Sequence, residues 1–214
     1  TGPSLAVLPF VNMSPDKDQD YFCEGLAEDI INALDVIEEL QVTSRTSAFR
    51  FKGTQTDIRE IGRRLGVSTV LEGSVRKAGN QVRFGVQLVN VDDGYKLWGN
   101  RYDRELKDVF AIQDEIAQKI VEALQVTLSP KAEKKAEKAA PEDVQAYDYY
   151  LKGRKLFYEF RERSFELARQ MFNSAIVVDE KYARAHAGVA DCCSFLHMYF
   201  NSSDENLREA DAAS

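Results

Sequence analysis

The stretch TVLEGSVRKAGNQVRFGVQLVNVDDGYKLWGNRYD, residues 69–103, decides the fold of the first half of the chain. Apolar and polar residues alternate along Thr69–Lys77, Gln81–Val91 and Tyr95–Asp103, which is the period of a half-buried strand. Val82, Phe84, Val86 and Leu88 fall on one face. Between the runs stand Ala78-Gly79-Asn80 and Asp92-Asp93-Gly94. Gly, Asn and Asp supply the backbone angles of tight reversals, so three antiparallel neighbours joined as a meander are expected.

Upstream of the meander the period changes. Leu5–Phe10 is a short apolar run suited to a buried strand, and the polar loop SPDKDQD follows. Phe22, Leu26, Ile30, Leu34 and Ile37 recur every three or four residues, one face of a helix over Tyr21–Ile37. Leu40–Thr43 is a second strand. Thr56 or Asp57 can cap a short helix whose apolar residues are Ile58, Ile61 and Leu65, with Gly66 as its stop. Downstream, Val109, Ile112, Ile116, Ile120 and Leu124 mark a helix over Asp108–Leu128. The expected order is βαβαβββα, an α/β domain with a mixed sheet over residues 1–128 and a right-handed crossover between its first strands.

SPKAEKKAEKAAPED, residues 129–143, has no apolar face and reads as a polar spacer between two domains. From 144 to 214 the pattern is all-α: helices over Tyr147–Phe160, Phe165–Val178 and Tyr182–Phe200, and a fourth from Asp204. Ala168, Phe172 and Ala175 match the small–aromatic–small signature of the second helix of a tetratricopeptide repeat, and Ala190 follows Ala168 by the 22 residues that the 34-residue period requires. Gly153 is the expected small residue of the first repeat. It lies 15 residues before Ala168 where the period wants 12, so the turn through Arg161–Arg163 should be about one helical turn too long. The chain opens on Thr-Gly and stops inside the second repeat, at Ala212-Ala213-Ser214, which points to a longer natural protein.

The blocks SLAVLPFVNMS, YFCEGLAEDIINAL, VTSRTSAFRFKG, DIREIGRRLGVSTVLEGSVRKAGNQVRFGVQLVN and LWGNRYDRELKDVFAIQDEIAQKI, in this order, make residues 4–125 resemble the TolB amino-terminal-like domain of bacterial signalling proteins. AYDYYLKGRKLF and ARAHAGVADC look like the tetratricopeptide array that usually follows it. The resemblance implies an accessory region whose companions in the same chain include class III nucleotide cyclases, serine/threonine kinases and winged-helix DNA-binding domains. It implies no catalytic residues in the pair itself. The departures are Glu180 where the repeat wants Pro, and the long turn.

Composition bounds the function. A net charge of −7 over 214 residues repels nucleic acid and leaves room only for a local basic patch. The apolar run LAVLPFV is too short to span a bilayer, so no membrane partner is read. Cys23, Cys192 and Cys193 form no disulfide framework, and a reducing, cytoplasmic setting follows. Asp16, Asp18 and Asp20 are spaced like the start of a calcium loop, but Tyr21 and Ala27 occupy the positions that need Gly and Glu. His186 and Cys193 stand about 10 Å apart along one helix, too far to share a metal. No metal, cofactor or catalytic set is read.

Two binding surfaces are expected. Ser44, Arg45, Thr46 and Ser47 sit just past a strand end, where open α/β sheets bind ligands, and their hydroxyls and guanidinium suit an anion such as a nucleotide phosphate. The alternative for these residues is purely structural, with the hydroxyls capping the next turn and Phe49 and Phe51 plugging the core. Tyr149, Arg154, His186 and Asp191 are expected to line a groove of the helical repeats that takes a protein or peptide. The sum is a non-enzymatic sensory or scaffolding region of a larger signalling protein, or a regulatory region that controls a cyclase or kinase through the 44–47 loop.

Overall fold

A computed structural model of the chain describes residues 2–124, 143–200 and 204–213, without the side chains of 204–207. The chain divides into two compact units, residues 1–138 and 139–214. The spacer expected at 129–143 lies, apart from Asp143, outside the described residues.

The first unit is built on one mixed sheet. β1 (Ser4–Val7) is flanked by β3 (Gln41–Val42) and β4 (Thr69–Ala78), both parallel to it. β5 (Gln81–Asn90) and β6 (Lys96–Glu105) continue the sheet antiparallel, with β6 outermost. The meander thus forms where the alternation predicts it. Val82, Phe84, Val86 and Leu88 are all buried on one face, while Gln81, Arg83 and Gln87 are exposed on the other.

The strand expected at Leu5–Phe10 stops at Val7, and a second short strand follows beyond Phe10. Pro9 has no N–H to give the ladder, and after Leu8 donates to Leu71 O (2.9 Å) the chain resumes pairing only at β2 (Val11–Asn12). Val7 faces Leu71 and Val11 faces Ser74, so four residues advance against three of β4.

α1 (Asp20–Asp35) buries Phe22, Leu26, Ile30 and Leu34, and α4 (Val109–Ala123) buries Ile112, Ile116 and Ile120. The two are tied by Gln113 Nε2, which donates to the buried Asp29 Oδ2 at 3.2 Å. On the opposite face of the sheet, Ala6, Leu8, Val70 and Val91 pack with Ala48 of α2 (Arg45–Phe49) and Ile61 of α3 (Ile58–Leu65). Asp57 caps α3 by accepting from Arg59 N at 2.8 Å, and Gly66 ends it at φ +70, a left-handed position suited to glycine. Both α2 and β2 are additions to the expected βαβαβββα order. Because α2 and α3 reach only the β1–β4 end, the outer face of β4, β5 and β6 stays open among the described residues.

The second unit is all helix: α5 (Val144–Phe157), α6 (Glu162–Val178), α7 (Ala183–Tyr199) and α8 (Asp204–Ala213), each packed on the next. Asp143 caps α5 by accepting from Gln145 N and Ala146 N. α5 ends three residues earlier than expected, and the turn 158–161 carries Phe160 at φ 52. That conformation is costly for a bulky residue. Ring contacts with Phe165, Phe195 and Tyr199 at 5.4–5.8 Å hold it.

Phe172 of α6 is the buried centre of this unit. A Cβ on Gly153 of α5 would lie 2.6 Å from its ring, and one on Gly188 of α7 would lie 2.8 Å from it. The close-packed small residue of α7 is therefore Gly188 rather than Ala190, which is only half-buried. A count by the expected 34-residue period lands two residues past the glycine that packs on Phe172. The 35-residue spacing from Gly153 to Gly188 is what geometry selects.

Candidate functional site

Ser44 begins α2 as its N-cap. Its Oγ accepts from Ser47 N at 3.4 Å and lies 3.2 Å from Ser47 Oγ. Arg45 turns back onto α1, with Nε 3.2 Å from Glu28 Oε2 and Nη2 3.5 Å from Glu24 Oε2. Its guanidinium also lies over the Phe49 ring, 4.3 Å from the centroid. Thr46 is exposed. The structure thus brings the four predicted residues together, and Ser44, Arg45 and Ser47 each have a partner inside the unit. Phe49 and Phe51 pack against the core.

The predicted groove residues lie on two helices in contact, Tyr149 and Arg154 on α5, His186 and Asp191 on α7. Asp191 is surface-exposed as a residue, yet desolvation of its carboxyl raises its pKa, and the charge of Arg154 pulls the other way without offsetting it. Arg154 is also bonded to the Tyr158 hydroxyl. His186 Nε2 lies 2.9 Å from the Glu180 carbonyl, and Lys152 sits 5.7 Å from the Tyr149 ring centroid. This face combines aromatic rings with charges of both signs.

Burial pushes the Cys23 and Cys192 thiols up to about 12, so neither is a thiolate at neutral pH. Cys193 Sγ instead takes a 3.8 Å contact from Arg169, which also bridges α6 to Glu209 of α8 at 2.7 Å. Asp16 caps the turn before α1, while Asp20 accepts from Asn12 and from Lys52. Among the described residues no group of three or more His, Cys, Asp or Glu is placed to hold a metal ion. No helix among them is long and apolar enough to cross a membrane.

One further hollow escaped sequence reading. The open face of β4–β6, walled by Pro9 and Val11 on one side and by the loop 51–56, encloses about 870 Å³. Lys52, Lys96 and Arg101 border it. Lys52, in the loop after α2, is 49 positions from Arg101 in the sequence, and the fold brings that loop beside β6.

Residues 1–119 match the family model described as HilA/YgeH-like transcriptional regulator, second domain. A protein of Rhizobium meliloti (strain 1021) named "Putative adenylate cyclase 3" is 41% identical over 210 residues, 97% of this chain and 36% of its own length. The chain therefore spans about a third of that relative. Among solved structures, TolB from Acinetobacter baumannii is similar at 16% identity and a TM-score of 0.43, over 58% of this chain and 28% of that one. Lipoprotein GNA1162 from Neisseria meningitidis is similar at 18% identity and a TM-score of 0.42, over 59% of this chain and 99% of that one.

Proposed function

From a chain that belongs to the family of the second domain of HilA/YgeH-like transcriptional regulators, we infer a non-catalytic regulatory region of a larger signalling protein. The observation that carries the inference is the alignment with the Rhizobium relative. It runs through both units of this chain yet occupies only about a third of a protein named as a cyclase, so the pair travels as one accessory segment. In such a protein the segment sets the output of a catalytic domain elsewhere in the chain.

Within that region the helical unit takes a protein or peptide partner. We read α5–α8 as tetratricopeptide repeats, and what supports this is the seating of Phe172 between Gly153 and Gly188, the small–aromatic–small contact on which such helix pairs stack. Tyr149, Arg154, His186 and Asp191 then lie on the first helices of adjacent repeats, the helices that line the concave face.

Two experiments test the reading. Deleting the aligned segment from the Rhizobium relative should change its cyclic nucleotide output, and inserting this chain in its place should restore regulation. Unchanged output in both would sink the regulatory role. Separately, peptides enriched from a displayed library on this chain should lose binding to an Arg154→Glu, Asp191→Lys variant. Equal binding to the variant would remove the groove.

A further inference from the structure

We propose that the open face of β4, β5 and β6 binds a small ligand bearing phosphate or carboxylate groups, held by Arg101, Lys96 and the loop that follows α2. The proposal starts from register. Ser74, Gly85 and Arg101 stand side by side across the three strands, and Glu72, Gln87 and Gly99 form the next row. These rows lie on the face opposite Phe84, Val86 and Leu88. Two of the six positions carry no side chain, so the floor is bare backbone and the bordering side chains overhang a hollow.

Packing does not explain both glycines. At Gly99 a Cβ would come within 3.0 Å of Lys96 Cδ and 3.1 Å of Val86 O, so the stem of Lys96 lies across that position. At Gly85 a Cβ would meet only Ser74 Oγ, at an ordinary 3.6 Å. Glycine in a strand interior weakens it and often marks the close approach of a ligand. Here the space above Gly85 belongs to the hollow.

Charge selects the ligand class. In the row beyond, Arg83 is spent on Asp103, with Nε 2.8 and 2.9 Å from its two carboxylate oxygens. Glu72 accepts from Gln87 at 2.5 Å. Lys52 keeps its ammonium through Asp20 and Glu24, at 2.8 and 2.6 Å. Arg101 and Lys96 form no ion pair among the described residues, although the chain as a whole carries seven more negative than positive charges. Two uncommitted cations beside the Thr56 and Ser74 hydroxyls are the donor set of a small polyanion, while the Thr54 hydroxyl is spent on the Phe51 carbonyl at 2.9 Å. A volume of about 870 Å³ suits a metabolite-sized molecule. The patch is too small, and the chain too acidic, to track a nucleic-acid backbone.

The test is an amide NMR titration of the full chain with inorganic phosphate, citrate and ADP as separate probes. Saturable shifts should gather at Gly53, Gly85, Gly99 and Arg101, and whether the phosphoryl probes or citrate saturate first distinguishes the two headgroup chemistries. Gly85→Val, which has room to fold, should fill the hollow and abolish the response. Arg101→Ser with Lys96→Ser should weaken it by roughly tenfold or more. The proposal is overturned if no probe gives saturable shifts, if they map elsewhere, if they persist in Gly85→Val, or if the double variant saturates at the same concentration as the parent.

Discussion

The two units bury apolar surface with different materials. The sheet core of the first is largely aliphatic, with Leu5, Val7, Leu71, Val75 and Leu88 all sealed from solvent. That of the second is aromatic, built from Tyr147, Tyr150, Phe165, Phe172 and Tyr182. Tyr150 alone touches Phe172 and Tyr182, at centroid distances of 5.7 and 5.2 Å. In a sheet the strand spacing is set by backbone hydrogen bonds, and side chains fill a lattice that exists without them. Between helices no such lattice exists, and the side chains themselves set the distance. The second unit therefore concentrates its geometry in one ring and two glycines, whereas the first distributes it.

The strongest way to break this comparison is to remove one core side chain from each unit. Phe172→Ala should cost about 3–5 kcal/mol and lower the unfolding transition of the helical unit. Leu71→Ala should cost about 2–5 kcal/mol in the sheet unit. Denaturant melts followed by unit-specific probes would show whether each loss stays in its own unit, and a negligible loss for Phe172→Ala would remove the keystone role.

A matched pair of glycine substitutions sharpens it. Gly188→Val drives a branched side chain into Phe172 and should destabilise by about 1–3 kcal/mol. Gly85→Val, on a strand with open space above it, should be neutral or stabilising by up to about 1 kcal/mol. In thermal melts Gly188→Val should fall below the parent while Gly85→Val should not. A smaller effect is expected at the entrance to α5, where Asp143→Ala removes the cap and should cost about 1 kcal/mol in the helical transition alone.

The smallest effect is a pH dependence in the sheet unit. The Arg59 side chain, and then its amide, hold the Asp57 carboxyl well below the usual carboxylate range. A depressed carboxyl stabilises the fold above its unfolded value of about 4 and loses that contribution as the pH falls through the folded one. The melting temperature of Asp57→Asn should therefore trail the parent at neutral pH and converge with it in acid. A gap that stays constant down to pH 2 would assign the effect to something other than the carboxylate.

What could be read without coordinates follows the same division. The meander was legible because alternation and two Gly-containing turns act within a few residues of each other, and α3 because Asp57 and Gly66 mark both its ends. The five residues of α2 were not, since a helix so short has no period to detect and is held by packing of Ala48 and Phe49. The break at Pro9 left the apolar run unchanged while altering the pairing. In the helical unit the small–aromatic pattern pointed to Phe172, but which residue faces it depended on helix phase, and Gly188 took the place expected of Ala190. The hollow over Gly85 was invisible for a different reason. Arg101 and Lys96 lie on β6 and Lys52 in the loop after α2, and no local pattern says that the fold will set them around bare backbone.

The position of β6 carries one last consequence. As the outermost strand among the described residues it offers ten residues of backbone with an unpaired side, a template on which another extended chain could crystallise into a growing fibre. Lys96, Arg101, Asp103, Arg104 and Glu105 place a charge at half of those ten positions. Any chain adding there would have to strip water from them, so the edge that exposes the protein to aggregation also carries its protection.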